Sequence, residues 1–122
     1  MAVKVLIVDN SEVMREVLHD VIAERFTVVG EAANGAEAIE AVYERELEID
    51  VIMMDMVMPE VGGIEATATI KDLYPEIKII FCTSVTQQER MRPAIEAGAD
   101  GYIMKPFENS TITDAIDDVV SS

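Results

Sequence analysis

The sequence predicts an α/β fold, a five-stranded parallel sheet with helices on both faces. Three observations predict it. Five short apolar runs recur along the chain, at residues 3–8, 26–30, 51–54, 78–82 and 101–104. Between them lie segments whose apolar residues fall three and four apart, the spacing of one helix face. The run Val51-Ile52-Met53-Met54 is apolar without alternation, as a strand buried on both faces is, and one carboxylate, Asp55, closes it.

Each element has its own signals. The first strand ends at Asp9-Asn10, and Ser11 is placed to cap a helix carrying Met14, Val17, Leu18, Val21 and Ile22. The second strand, over 26–30, is shorter, and Asn34-Gly35 marks a turn before a helix over 36–45 through Ala38, Ile39 and Val42. The third strand starts at Val51. A buried charge must be neutral, paired or at a strand end, so Asp55 is placed at the end. After Pro59, Gly62-Gly63 makes a bend into a helix over 64–73 that Pro75 stops. The fourth strand, 78–82, ends at Thr83-Ser84. Thr86 with Glu89 three residues on has the form of a capping box for the fourth helix. Pro93 should make that helix begin late or kink, and Gly98 is its C-cap. The fifth strand closes at Lys105-Pro106, and a last helix from Asn109 carries Ile112, Ala115, Ile116, Val119 and Val120.

Composition narrows the function. With 122 residues and no linker, repeat or low-complexity segment, the chain reads as one domain over 1–122, large enough for a core of its own. There are 24 Asp and Glu against 9 Lys and Arg, a net charge of −15, and such a surface repels phosphate backbones, which disfavours nucleic-acid binding. No apolar run has the length of a membrane span, and the N-terminus lacks the pattern of a secretion signal, so a cytoplasmic protein is expected. A single cysteine, Cys82, in an apolar run reads as a core filler. His19 and the methionines likewise read as surface or core residues.

The strand ends carry the chemistry. Asp9, Asn10, Asp55, Thr83, Ser84 and Lys105 all follow or close strands, so a parallel sheet brings them to one edge, where open α/β sheets bind ligands. Carboxylates with an amide oxygen form a hard-oxygen site that Mg²⁺ accepts. Lys105 and Thr83 supply a cation and a donor for anionic oxygens. The set suits phosphoryl chemistry with Asp55 as nucleophile.

These residues, in the segments Leu6-Ile7-Val8-Asp9-Asn10-Ser11, Asp55 with Met58-Pro59 and Gly63, Thr83-Ser84, and Ala97-Gly98-Ala99-Asp100-Gly101-Tyr102-Ile103-Met104-Lys105-Pro106-Phe107, resemble the receiver domain of bacterial and archaeal response regulators. The likeness spans essentially the whole chain and is greatest to the CheY-like single-domain members of two-component signalling, several of which serve chemotaxis. It implies a flavodoxin-like sheet order 2-1-3-4-5, carried over from the family. It implies that Asp55 is the phosphoacceptor of a CheA-like histidine kinase, and that Asp9, Asn10, Asp55 and the backbone carbonyl of Val57 hold Mg²⁺. Thr83 would bond the phosphoryl group, Lys105 would pair with it, and Tyr102 would be an aromatic switch that turns inward, a core role being the plain alternative. The Lys105-Pro106 bond would be cis. A motor or adaptor protein would read the face built from the fourth helix, fifth strand and fifth helix, and the chain would be a monomer with no enzymatic activity beyond its own phosphorylation and dephosphorylation.

Two departures from the family pattern matter. Asn10 stands where the family usually has an acid, which removes a charge from the metal site. Val57 and Val85 stand where related chains often have polar residues, positions that influence how fast water removes the phosphoryl group. Two other functions fit less of the sequence. One is a receiver-like module with a weakened metal site that binds its partner without phosphate control. The other is a flavodoxin-like cofactor or nucleotide binder, disfavoured because the loop after the first strand is not rich in Ser, Thr and Gly.

Overall fold

The computed structural model describes residues 2–45, 48–56, 58, 61–84 and 89–121. Strands and helices alternate: β1 Lys4–Val8, α1 Glu12–Ala23, β2 Thr27–Ala32, α2 Gly35–Arg45, β3 Val51–Asp55, α3 Gly63–Leu73, β4 Lys78–Thr83, α4 Met91–Ala97, β5 Gly101–Met104 and α5 Asn109–Val120. The sheet is parallel throughout, in the order β2-β1-β3-β4-β5. The expected fold class and strand order are both present.

The uninterrupted apolar runs have a structural cause. Successive side chains of a strand point to opposite faces, and both faces are covered. Leu6, Val8, Ile52, Met54, Ile79 and Phe81 pack against Ala38 and Val42 of α2, Ala66 and Ile70 of α3, and Ala94 of α4. Val5, Ile7, Val51, Met53, Ile80 and Cys82 pack against Leu18, Val21 and Ile22 of α1 and Ile112, Ile116 and Val119 of α5. Each run therefore feeds two cores. Val120, expected inside, is instead among the exposed apolar residues.

The ends of several elements differ from the sequence signals, most by one residue. Strand β2 starts one residue later and runs to Ala32, past Gly30. It is an edge strand, so its outward positions tolerate Glu31 and give a weak hydrophobic signal. Asn34 does more than turn the chain. Its Oδ1 accepts from Glu37 N–H (2.8 Å) while Glu37 Oε1 accepts from Ala33 N–H (2.9 Å), a reciprocal cap on α2.

The sequence places a capping box for α4 at Thr86 and Glu89. The helix begins at Met91 with Arg90 as its N-cap and no side-chain cap, and Thr86 itself lies outside the described residues. The late start follows from Pro93. As the third helical residue it occupies a position whose N–H has no intrahelical acceptor, so its missing donor costs nothing there. Gly98 caps the other end at φ 115°, a left-handed conformation that favours glycine.

Candidate functional site

Register brings the two carboxylates together. Val8 pairs with Met54, so the next residues, Asp9 and Asp55, stand side by side at the carboxyl edge of the two central strands. The chain leaves β1 toward β2 and returns past it to β3, which opens a crevice between the α1 and α2 faces at this point. Asp55 is the last residue of β3, as a charge in a buried run requires, and Thr83 is the last of β4. Lys105 follows β5 directly, and its N–H donates to Thr83 O (2.6 Å). The Lys105-Pro106 bond is cis.

All four of these side chains are largely withdrawn from water. Asp9 is 2% exposed, Asp55 6% and Thr83 0%. Lys105 reaches over both carboxylates, with Nζ 3.6 Å from Asp9 Oδ2 and 3.6 Å from Asp55 Oδ1. The Thr83 hydroxyl lies 3.4 Å from Ser84 O and 3.9 Å from Met56 Sδ. The Asp9 carboxylate is hydrogen-bonded on one side only. Its Oδ1 accepts from Ser11 N–H (2.8 Å), whereas Oδ2 is buried and accepts no hydrogen bond.

A hard divalent cation fits these donors. A buried carboxylate oxygen without a hydrogen-bond donor, beside a second buried carboxylate, is what such an ion satisfies. Among the described residues, no group of three His, Cys, Asp or Glu side chains forms, so Asp9 and Asp55 are the carboxylates available. Asn10 lies exposed in the loop after β1, able to add an amide oxygen but no charge. Val57, expected to give a backbone carbonyl, and Val85 lie outside the described residues.

Two neighbouring features were not evident from residue types alone. A Cβ on Gly63 would collide with the carbonyl oxygen of Asp55, so the bend after β3 holds the helix α3 against the backbone of the candidate nucleophile. Its neighbour Gly62 meets nothing closer than 3.9 Å. Arg15 of α1 donates from Nη1 to the Asp9 carbonyl (2.6 Å), a contact to backbone that no sequence motif announces. Cys82, between Phe81 and Thr83, is a core residue as expected, and burial pushes its thiol up to about 12.

Tyr102 is 55% exposed and so is no core residue. With Phe81, Met91, Ile95 and Ala99 it lines an apolar groove of about 240 Å³ between α4 and β5. Ile95 is also exposed, which gives this face an apolar character. Among the described residues no helix is long and apolar enough to cross a membrane.

Residues 5–117 match the family model of the response regulator receiver domain. The chain is 48% identical over 122 residues to the chemotaxis protein CheY of Halobacterium salinarum, covering 100% of both chains. It is 42% identical to the chemotaxis protein CheY of Thermotoga maritima, covering 98% of each. The solved structure of a two-component response regulator of the LuxR family from Aurantimonas sp. SI85-9A1 superposes with a TM-score of 0.90 at 29% identity, over 99% of this chain and 86% of that one.

Proposed function

The chain belongs to the response regulator receiver domain family, and from that premise we propose that it is a phosphorylation-controlled signalling switch whose phosphoacceptor is Asp55. The donor is a CheA-like histidine kinase, and the pathway is chemotaxis, a reading supported by full-length likeness to two chemotaxis proteins CheY. The observation that carries the assignment of Asp55 is the convergence of Asp9, Asp55, Thr83 and Lys105 at one sheet edge, with Lys105 3.6 Å from both carboxylates.

In the transfer, an Asp55 carboxylate oxygen bonds to phosphorus as the bond from phosphorus to the donor's imidazole nitrogen breaks, and the imidazole leaves with that electron pair. Lys105 holds its ammonium where an oxygen on the modified Asp55 comes to lie. Thr83 turns its hydroxyl to donate to a second oxygen. Asp9, Asn10, Asp55 and the carbonyl of Val57 would hold Mg²⁺, which when bound offsets the negative charge of the phosphoryl oxygens. The burial of Asp9, Asp55 and Thr83 keeps these contacts in a medium of low dielectric, where they act most strongly.

Output follows from the same residues. Drawing Thr83 toward the phosphoryl group opens space that Tyr102 fills by turning inward, and the face of α4, β5 and α5 changes. A motor or adaptor protein reads that face. The α4 helix suits this task, being seven residues long and without a side-chain cap. The chain acts as one receiver domain over 1–122 in the cytoplasm, and as a phosphoacceptor it is not an enzyme in the usual sense.

The test uses a small phosphodonor. Incubation with Mg²⁺ and acetyl phosphate should add one phosphoryl group by intact mass, and Asp55→Asn should abolish it. An unmodified wild-type mass under saturating Mg²⁺ would overturn the proposal and favour partner binding without phosphate control.

A further inference from the structure

We propose that Arg15 is a positioning residue for the metal, acting through the backbone carbonyl of Asp9; the inference rests on the Mg²⁺ site proposed above. Asp9 is held at three of its four polar atoms. Its N–H donates to Ala32 O (3.0 Å), its Oδ1 accepts from Ser11 N–H (2.8 Å), and its carbonyl accepts from Arg15 Nη1 (2.6 Å). The fourth atom, Oδ2, is buried without a hydrogen bond and faces Lys105. The first three contacts hold the backbone on both sides of Asp9 and one carboxylate oxygen, and Oδ2 lies 3.6 Å from Lys105 Nζ, which stands equally far from Asp55 Oδ1.

Among these, the Arg15 contact fixes the peptide plane that joins Asp9 to Asn10, so it sets the direction in which Asn10 leaves the strand. Arg15 is itself well placed to be rigid. Its backbone N–H donates to Ser11 O (3.0 Å) in the first turn of α1, its side chain is 17% exposed, and Nε donates to Glu31 Oε1 (3.2 Å) at the end of β2. A planar guanidinium can serve a carbonyl with one nitrogen and a carboxylate with another, which an ammonium cannot do with the same fixed geometry. Glu31 also balances the charge, so a cation sits beside the metal loop without a strong field against a divalent ion.

Position and charge predict opposite signs, which makes the inference testable. Removing a cation near the site, with Glu31 left behind, strengthens the attraction for Mg²⁺ if only charge matters. Releasing the Asp9 carbonyl weakens it if position matters, and loss of groups that orient metal ligands costs roughly 10-fold or more in affinity. Titration of Mg²⁺ by calorimetry should therefore show weaker binding in Arg15→Ala, and weaker binding still present in the charge-balanced double variant Arg15→Ala, Glu31→Ala. The Mg²⁺ concentration for half-maximal phosphorylation by acetyl phosphate should rise, while the rate at saturating Mg²⁺ stays near wild type. Equal or tighter Mg²⁺ binding in both variants would overturn the inference while leaving the site intact. Absence of Mg²⁺ binding to the wild type would overturn the site and the inference together. Should Arg15→Ala not fold in chelator, Arg15→Lys carries the same test: weaker Mg²⁺ supports the fork, and wild-type affinity overturns it.

Discussion

Replacing Lys105 by Met removes the cation from between two buried carboxylates while keeping the length of the stem. Nζ is 3.6 Å from one oxygen of each of Asp9 and Asp55. At an effective dielectric of about 20, each pair is worth about 4–5 kcal/mol of bare Coulomb attraction, or roughly 9 kcal/mol for both. Most of that is offset by the hydration the ammonium regains on leaving, and the Lys105 side chain is 29% exposed, which screens it further. Breaking a fully buried pair costs about 3–5 kcal/mol, so a loss of about 2–3 kcal/mol is expected in metal-free protein. For a domain of this size that is a fall in Tm on the order of 10 °C. Mg²⁺ and Lys105 compete to neutralise the same oxygens, so Lys105→Met should also bind Mg²⁺ about 10-fold more tightly and regain much of its stability in excess metal. The assay is thermal unfolding in chelator and in a Mg²⁺ series, with affinity from calorimetry. A variant as stable as wild type in chelator, or one that binds Mg²⁺ more weakly, would refute the electrostatic account.

Three further outcomes are expected. Asn10→Asp adds a charge to the metal site, and because position 10 is exposed the bare gain of about 8 kcal/mol at 4 Å shrinks to about 1–2 kcal/mol; Mg²⁺ should bind roughly 10-fold tighter by calorimetry, phosphorylate faster, and leave the metal-free protein less stable, equal affinity meaning that position 10 holds no ligand. Gly63→Ala should cost on the order of 2–4 kcal/mol in urea unfolding and suppress phosphorylation, since its Cβ collides with the Asp55 carbonyl, whereas Gly62→Ala should be neutral or slightly stabilising; similar behaviour of the two would refute the close approach. For Cys82, whose thiol is raised from 9.0 to about 12 by burial, the unfolded chain loses its proton above pH 9 while the folded chain keeps it, so stability falls with rising pH from about 9 to 12 by up to about 1.4 kcal/mol per unit. Cys82→Ala should flatten that part of the pH profile relative to wild type, and identical slopes would count against a buried, protonated thiol.

What the sequence disclosed depended on how many neighbours each element has. Strands β1, β3 and β4 are covered on both faces, so all their residues but the opening Lys4 and Lys78 are buried, and their runs announce themselves. Strand β2 has one flank open, and the charge of Glu31 and the glycine at 30 conceal its last two residues. A reciprocal cap forms at Asn34 and Glu37, which the sequence offered only as a turn, where the following helix packs its Ala38 and Val42 into the core.

The site divides along the same line. Asp9, Asp55, Thr83 and Lys105 were legible as a set because each ends or directly follows a strand, and the parallel topology brings the four positions to one edge. The proposed roles belong to their side chains, so residue type and position were enough to propose them. Arg15 and Gly63 act on backbone, one by donating to the Asp9 carbonyl and the other by yielding space to the Asp55 carbonyl. A carbonyl is present at every position and leaves no mark in a sequence. An arginine six residues after Asp9, on the first inward turn of α1, becomes informative only once β2 has delivered Glu31 beside it, because the ion pair then fixes which way the guanidinium points. The loop after β1 is thus held by a contact that joins three elements, β1, α1 and β2. For the same reason, the proposed effect of Arg15 on Mg²⁺ should depend on Glu31 while the chemistry of Asp55 does not.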